Sequence, residues 1–280
     1  MDKSYLYTPA LKVDALAKNN AGHHADHCDV AVLDLEDSIH LAMKANARQI
    51  IFDLDHGALK RMKKLSLRLN AIDTLDGIKD MEMLGRLFKH KGCRFDSVFV
   101  SKIRHHRDLV VYRRLFDAMA PAIKLITIIE TVEAIEDLDE IAKYSDALIL
   151  GQADLMACLY AHNQSFINNA RAKICVYAAK YNITAIDTNS FEIDDMILFK
   201  RQCVAARQEG FMAKAAIHPV QLDIINQVFE ISDKEQQKFE DVIDIYSRSV
   251  SGFSIHDGRI IAPPFIANAN KMLDFIARNK

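Results

Sequence analysis

The sequence predicts an α/β protein: a closed (β/α)8 TIM barrel followed by two extra C-terminal helices. Three observations predict it. Eight short apolar runs alternate with longer amphipathic stretches over 280 residues, the periodicity of β–α units. Most of the runs are apolar throughout rather than alternating, as in strands buried on both faces of a parallel sheet. The units are alike, with no break in composition, so one closed barrel of roughly 250 residues fits better than an open doubly wound sheet.

The expected strands are Tyr5–Ala10, Val30–Glu36, Leu65–Asn70, Ser97–Lys102, Leu125–Glu130, Ala147–Gly151, Thr184–Asp187 and Ala213–His218. Helical spacing fills the intervals, at Leu11–Ala21, Lys44–Asp55, Asp73–Lys89, Arg107–Ala118, Thr131–Lys143, Ile167–Tyr181, Asp194–Glu209 and Pro219–Phe229. Asp73 suits an N-cap ahead of Leu75, Ile78, Met81, Leu84 and Leu87, which share one helix face. Asp194-Asp195 reads as a cap with a helix-dipole partner, and Pro219 as a first-turn residue. Two further helices, Asp233–Val250 and Pro264–Ala277, are joined by a turn-rich stretch. The expected domains are a barrel over 1–231 and a C-terminal helical arm or lid over 232–280.

Composition narrows the function. Lys and Arg number 36 against 38 Asp and Glu, a net charge of −2, which excludes an overall cationic field for nucleic acid. No run of about 18 apolar residues occurs, so no membrane span is expected. Cys28, Cys93, Cys158, Cys175 and Cys203 are scattered, with no C-x-x-C pair. They read as small core residues in a reducing cytoplasm, not as a disulfide framework or a zinc ribbon. The opening MDKSYLYTPALK lacks a secretory pattern.

In such barrels the chemistry gathers at the carboxyl ends of the strands. There the sequence places Asp34, Glu36 and Asp37, then Arg68 and Asn70, Lys102, Glu130, Asp154, Asp187, and Lys214 with His218. The opposite ends carry single charges expected to be exposed, such as Asp29, Lys64 and Lys124. Carboxylates without clustered Cys or His favour a hard ion, Mg²⁺ or Mn²⁺. Such an ion accepts a 2-oxo acid and stabilises the enolate left when a carbon–carbon bond breaks, while Arg68 grips the substrate carboxylate through its planar fork. Plainer readings stand beside these. Glu130 and Asp154 could bond loop amides, Glu36-Asp37 could cap a helix, and Arg68 could pair with a structural acid. His218 reads as a strand-end residue, His23, His24 and His27 as a solvated turn, and His105-His106 as a solvated helix start.

The strings LDLEDSI (33–39) with Lys44 and Arg48, LRLN (67–70), IIET (128–131), LGQADL (150–155), KAAIHPVQ (214–221) and DGRIIAPPFIANANKML (257–273) together resemble the citrate lyase β-subunit family. That family belongs to the larger HpcH/HpaI aldolase superfamily, which includes malyl-CoA lyases. The resemblance implies a Mg²⁺-dependent carbon–carbon lyase, assembled as a homotrimer or hexamer. It would cleave or form a 3-hydroxy acid or its coenzyme A thioester through a metal-stabilised enolate and an oxo-acid. Carried over by motif, Glu130 and Asp154 match the metal-binding residues. Arg68 matches the arginine on the oxo-acid, with Asn70 beside it as a substrate-binding residue. Glu36 and Asp37 match the acidic pair near the metal, and Lys102 a rim lysine; with Arg68 they make up the expected catalytic set.

Three departures bear on the substrate. The family's first strand often ends in a Pro-Gly turn after an Arg-Ser pair; here the residues are Lys3-Ser4 and Pro9-Ala10. A glycine often precedes the lysine of strand eight, where this chain has Ala213. The malyl-CoA branch places an aspartate in its lid near the position of Ala262 in GRIIAPP. Three functions therefore stand open: the lyase above, but not a malyl-CoA-type thioester hydrolase; an aldolase for a free 2-oxo acid without coenzyme A; and a catalytically idle barrel acting as a binding subunit.

Overall fold

The computed structural model describes residues 1–17, 27–54, 59, 62–90, 95–120, 122–249, 252–256 and 259–279. Eight parallel strands close into a barrel in chain order. They are β1 (Ser4–Pro9), β2 (Val30–Asp34), β3 (Lys64–Leu69), β4 (Ser97–Val100), β5 (Lys124–Ile129), β6 (Ala147–Leu150), β7 (Thr184–Asp187) and β8 (Ala213–Ala216). Pairing of Ser4 with Lys214 and of Leu6 with Ala216 closes the ring. Every strand begins within a residue of its expected start. The expected last residues Glu36, Asn70, Lys102, Glu130 and His218 lie in the loops just beyond.

The helices that follow the strands are α1 (Val13–Ala17), α2 (Lys44–Asp53), α3 (Leu75–His90), α4 (His106–Met119), α5 (Val132–Glu136), α6 (Leu138–Lys143), α7 (Gln152–Ala157), α8 (Gln164–Tyr181), α9 (Met196–Glu209) and α10 (Leu222–Val228). Three details differ from the sequence expectation. The single helix expected over 131–143 breaks at Asp137 into α5 and α6, and α7 adds a short helix directly after β6. At the start of α3 it is Thr74, not Asp73, whose hydroxyl accepts the Gly77 N–H, at 3.0 Å; the cap sits one residue later because the preceding turn is closed by Thr74 N–H to Ala71 C=O.

Strand alternation sorts the core into two layers. Tyr5, Val30, Val32, Phe99, Ile126, Ile128, Ala147, Ile149, Ile186, Ala213 and Ala215 form one buried cluster, which fills the barrel interior. The intervening residues, such as Leu33, Leu67, Val98, Val100, Leu125 and Leu148, pack outward against the helices. Asp29, expected to be exposed at the opposite end, is buried. It accepts the Lys3 N–H and the Lys63 ammonium, both at 2.8 Å. Cys28, Cys175 and Cys203 are buried, Cys158 is exposed, and Cys93 lies outside the described residues. No described helix is long and apolar enough to cross a membrane.

The chain packs as two compact units, Lys3–Phe229 and Glu230–Lys280 together with Met1–Asp2. The second unit holds α11 (Asp233–Ser247), a hairpin of β9 (Ser254–His256) and β10 (Arg259–Ile261), and α12 (Pro263–Arg278). The hairpin falls in the stretch that the sequence presents only as turn-rich.

Candidate active site

Residues Val32 of β2 and Ile128 of β5 fill the interior, so the next inward positions are Asp34 and Glu130, at the carboxyl end. Arg68 is the register partner of Asp34 and shares its face. It donates from Nε and Nη2 to the two Asp34 oxygens, at 2.6 Å each. Its Nη1 lies 2.9 Å from Glu36 Oε2 and 3.6 Å from Asp37 Oδ2. The Tyr7 ring packs under the guanidinium, 5.1 Å from Cζ. Asp34 also accepts the N–H groups of Glu36 (2.8 Å) and Ser38 (3.2 Å). One ion pair thereby fixes the loop that carries Glu36 and Asp37.

A second set of buried groups supports this loop from behind. The Lys44 ammonium donates to the carbonyls of Leu35 (2.7 Å) and Glu36 (2.6 Å) and to Asn70 Oδ1 (2.6 Å). Asn70 Nδ2 donates to Leu35 O (2.9 Å) and Asp80 Oδ2 (2.7 Å), and Arg48 donates to Asp80 Oδ1 (3.1 Å). Asn70, which the sequence reading puts on the substrate, has its side-chain amide taken up by these contacts.

Lys102 brings the remaining acids together. Its backbone is left-handed, φ 55°, a conformation that costs a non-glycine residue about 1 kcal/mol or more. The position is held by its N–H, which donates to Glu130 Oε1 at 2.6 Å. Its ammonium lies 2.7 Å from Asp154 Oδ1, 3.5 Å from Glu36, 3.7 Å from Glu130 and 3.8 Å from Asp37. Four carboxylates from three strand ends or loops thus converge on one cationic point.

The electrostatics follow from burial. Desolvation pushes the Glu36 carboxyl up to about 8, against the pull of Arg68. It pushes Glu130 up to about 7, against Lys102. Burial also works against the charge of Asp34, yet the Arg68 guanidinium and its hydrogen bonds outweigh it and hold Asp34 below the usual carboxylate range. Burial raises the Tyr7 hydroxyl, so the phenol stays protonated at neutral pH. Lys102 is desolvated too, but the surrounding acids more than compensate and its pKa is raised.

Asp34, Asp37, Arg68, Glu130 and Asp154 line a cavity of about 380 Å³ with Tyr7, Ile128, Ile149, Asn189 and Phe191. Tyr7, Asn189 and Phe191 are not among the residues the sequence reading selects; alternation from buried Tyr5 is the signal that could have found Tyr7. Two expected rim groups are not at this site. Asp187 and Lys214 each follow an inward residue, Ile186 and Ala213, so they face the helices instead. There Lys214 Nζ meets Asp187 at 2.5 Å, and Arg171 bridges Asp187 (2.7 Å) and Glu209 (2.6 Å). His218 accepts the Val220 N–H and caps the turn at Pro219. His27 pairs with Asp223 at 2.7 Å, whereas His23 and His24 lie outside the described residues.

A closed parallel barrel with a carboxylate-lined, arginine-bearing cavity at its carboxyl end defines an enzyme of the lyase and aldolase type. Residues 3–219 match the family described as HpcH/HpaI aldolase/citrate lyase, and the chain belongs to it. It is similar to a (3S)-malyl-CoA thioesterase of Cereibacter sphaeroides, 27% identical over 97% of this chain and 93% of that protein. An L-malyl-CoA/beta-methylmalyl-CoA lyase of Rhodobacter capsulatus is 26% identical over 83% of this chain and 82% of its own length. Among solved structures, RipC from Yersinia pestis is 32% identical with a TM-score of 0.69, covering 84% of this chain and 98% of RipC. CitE from Mycobacterium tuberculosis, in complex with magnesium, acetoacetate and coenzyme A, shares the fold at 24% identity and a TM-score of 0.75, over 98% and 97% of the two chains.

Gly151 tests how tightly Glu130 is held. A Cβ there would lie 2.5 Å from Glu130 Cβ, 2.9 Å from its Oε2 and 3.0 Å from Ile128 Cγ2. Gly151→Ala should push Glu130 off its position and cost about 1–3 kcal/mol of stability, read as a lower melting temperature. An unchanged melting temperature would mean that Glu130 is not tightly held there.

Proposed function

We propose that this protein is a Mg²⁺- or Mn²⁺-dependent carbon–carbon lyase that cleaves or forms a 3-hydroxy acid or its coenzyme A thioester, with an oxo-acid as one partner. The observation that carries the reading is the position of the Lys102 ammonium among four carboxylates. A point that stabilises one cation that strongly suits another, and all of its donors are the hard oxygens that Mg²⁺ prefers. Glu130 and Asp154 would hold the ion, with Glu36 and Asp37 binding its waters. A divalent cation bound there supplies electrostatic stabilisation of negative charge developing on a substrate oxygen.

The chain's own groups supply the rest. Arg68 spends its Nε–Nη2 edge on Asp34, and a substrate carboxylate would share its Nη1–Nη2 edge with Glu36, 2.9 Å from Nη1. Glu36, 2.9 Å from Arg68 Nη1 and 3.5 Å from the Lys102 ammonium, would be the group to exchange a proton with a substrate hydroxyl. Ile128, Ile149 and Phe191 give the cavity an apolar wall, which lowers the local dielectric and strengthens each charge interaction.

Glu130→Gln and Asp154→Asn should each abolish Mg²⁺-dependent cleavage while unfolding stays cooperative. Arg68→Lys should raise KM for an oxo-acid at least tenfold, about 1.4 kcal/mol, because a point charge replaces a planar fork. It should also lower the melting temperature, since Asp34 loses a bidentate partner. Mg²⁺ affinity unchanged in both acid variants would refute the metal assignment, and a KM within twofold of the parent would show that Arg68 serves only the fold.

The relatives that act on malyl-CoA support coenzyme A thioesters as substrates. Thioester hydrolysis or synthesis of the malyl-CoA type is excluded from the proposal, although the match to a thioesterase spans 97% of the chain. Ala262, at the start of α12, has a methyl where the resemblance implies a lid aspartate, and a methyl moves no proton. Asp257 lies outside the described residues and is five positions earlier in the sequence. A general base commonly contributes ~10²–10⁴-fold. Acetyl-CoA plus glyoxylate should therefore release thiol slowly; turnover above about 1 s⁻¹ would overturn the exclusion.

A second copy of the chain is the proposed partner, in a homotrimer or hexamer, with the C-terminal arm acting as a lid. No residue of α11 is buried, and only Ala269 and Phe275 of α12 are, which leaves apolar residues such as Phe265 exposed. Sedimentation should show an oligomer at micromolar concentration, and a monomer would count against the assembly.

A further inference from the structure

We infer that His105, His106 and Asp137 form a second metal site, for a first-row transition ion such as Co²⁺, Ni²⁺ or Zn²⁺, outside the carboxylate cavity. His105 and His106 begin α4 after the loop that carries Lys102, and Asp137 is the junction of α5 and α6, one β–α unit further on. Both Nδ1 atoms lie 2.8 Å from Asp137 Oδ2 and 3.0 Å from each other. The His106 backbone N–H also donates to that oxygen, at 2.7 Å, and fixes the carboxylate. The His106 ring stacks on Tyr144, with centroids 6.1 Å apart and planes 12° apart.

Without a cation, both rings can carry the proton on Nδ1 and donate to the same Asp137 oxygen, with the two nitrogens 3.0 Å apart. A metal ion would take the place of those two protons, because two bare ring nitrogens and a carboxylate are then all acceptors turned to one positive charge.

The spacing is also informative. Ligand bonds of about 2.1 Å put neighbouring donors ~3.0 Å apart on an octahedral face and ~3.4 Å apart in a tetrahedron. Separations of 2.8–3.0 Å fit the octahedral face. Side-chain exposures of 51% for His105 and 25% for His106 leave the remaining positions to water. Two imidazoles and one carboxylate prefer borderline ions over Mg²⁺, so the site and the carboxylate cavity would take different metals. A bound ion would tie together the loops after β4 and β5, and the first of these presents Lys102.

The test uses the full chain without a histidine tag, in millimolar Mg²⁺ to occupy the carboxylate cavity. Co²⁺ is titrated and followed by calorimetry and by its visible absorption. The parent and Glu130→Gln should each bind one Co²⁺ per chain through nitrogen ligands. His105→Ala, His106→Ala and Asp137→Asn should each weaken binding at least tenfold. His105 is half exposed, so its variant should fold and decides the matter even if the other two do not. Co²⁺ affinity in His105→Ala within twofold of the parent, no binding by the parent at micromolar Co²⁺, or loss of the signal in Glu130→Gln would each overturn the proposal.

Discussion

The Asp34–Arg68 pair is the interaction on which the rest of the site depends. It joins neighbouring strands at the top of the barrel, and each partner then makes further bonds. Asp34 takes the N–H groups of Glu36 and Ser38, while Arg68 reaches Glu36 and lies over Tyr7. Both side chains are nearly cut off from water. Such a pair adds little net stability over a well-packed apolar one, but removing one partner costs about 3–5 kcal/mol, because the other charge stays buried alone. Its value here is positional. The sequence string from Leu33 to Ile39 can hold two acids in a fixed place only because Arg68 faces it from the next strand and Lys44 anchors its carbonyls from below.

Charge balance is the second constraint. Asp34, Glu36, Asp37, Glu130 and Asp154 face Arg68 and Lys102 within hydrogen-bonding or ion-pair distance. Burial raises the pKa values of Glu36 and Glu130, and the surplus of five carboxylates over two cations adds to the rise through Asp37 and Asp154. Protons relieve this surplus at a loss of the anionic donors; a divalent cation relieves it without that loss. The left-handed backbone of Lys102 fits the same picture, since strain there is repaid by an N–H delivered to Glu130 and an ammonium delivered to Asp154.

Much of this was legible in the sequence, and the errors have a common cause. Apolar runs located all eight strands, since a strand buried on both faces has a strong compositional signal. They also located Asp34, Arg68, Glu130 and Asp154, which come together as expected. What the runs do not reveal is parity. Every residue of β7 and β8 is partly or wholly buried, so nothing in TAID or AKAA tells inward from outward. Asp187 and Lys214 therefore read as rim groups, although they pair behind the barrel wall. Parity was legible only where a large residue identified the interior, as Tyr5 does for Tyr7. The His105–His106–Asp137 cluster was hidden for a different reason. Its members are 31 residues apart in sequence, and the break at Asp137 that brings them together interrupts what reads as one helix.

The same parity argument locates where this chain parts from the pattern it resembles. Ala213 stands where that pattern often has a glycine, and the structure puts its methyl inside the barrel among Val30, Ile186 and Tyr5. Ala10, in place of a turn glycine, is wholly buried just beyond β1. Neither residue lines the cavity: Ala213 packs among the interior residues and Ala10 in the layer against the helices. In a close-packed interior each methyl fills space that a glycine would leave open, so both substitutions bear on the packing of the barrel wall and not on the charged lining of the cavity.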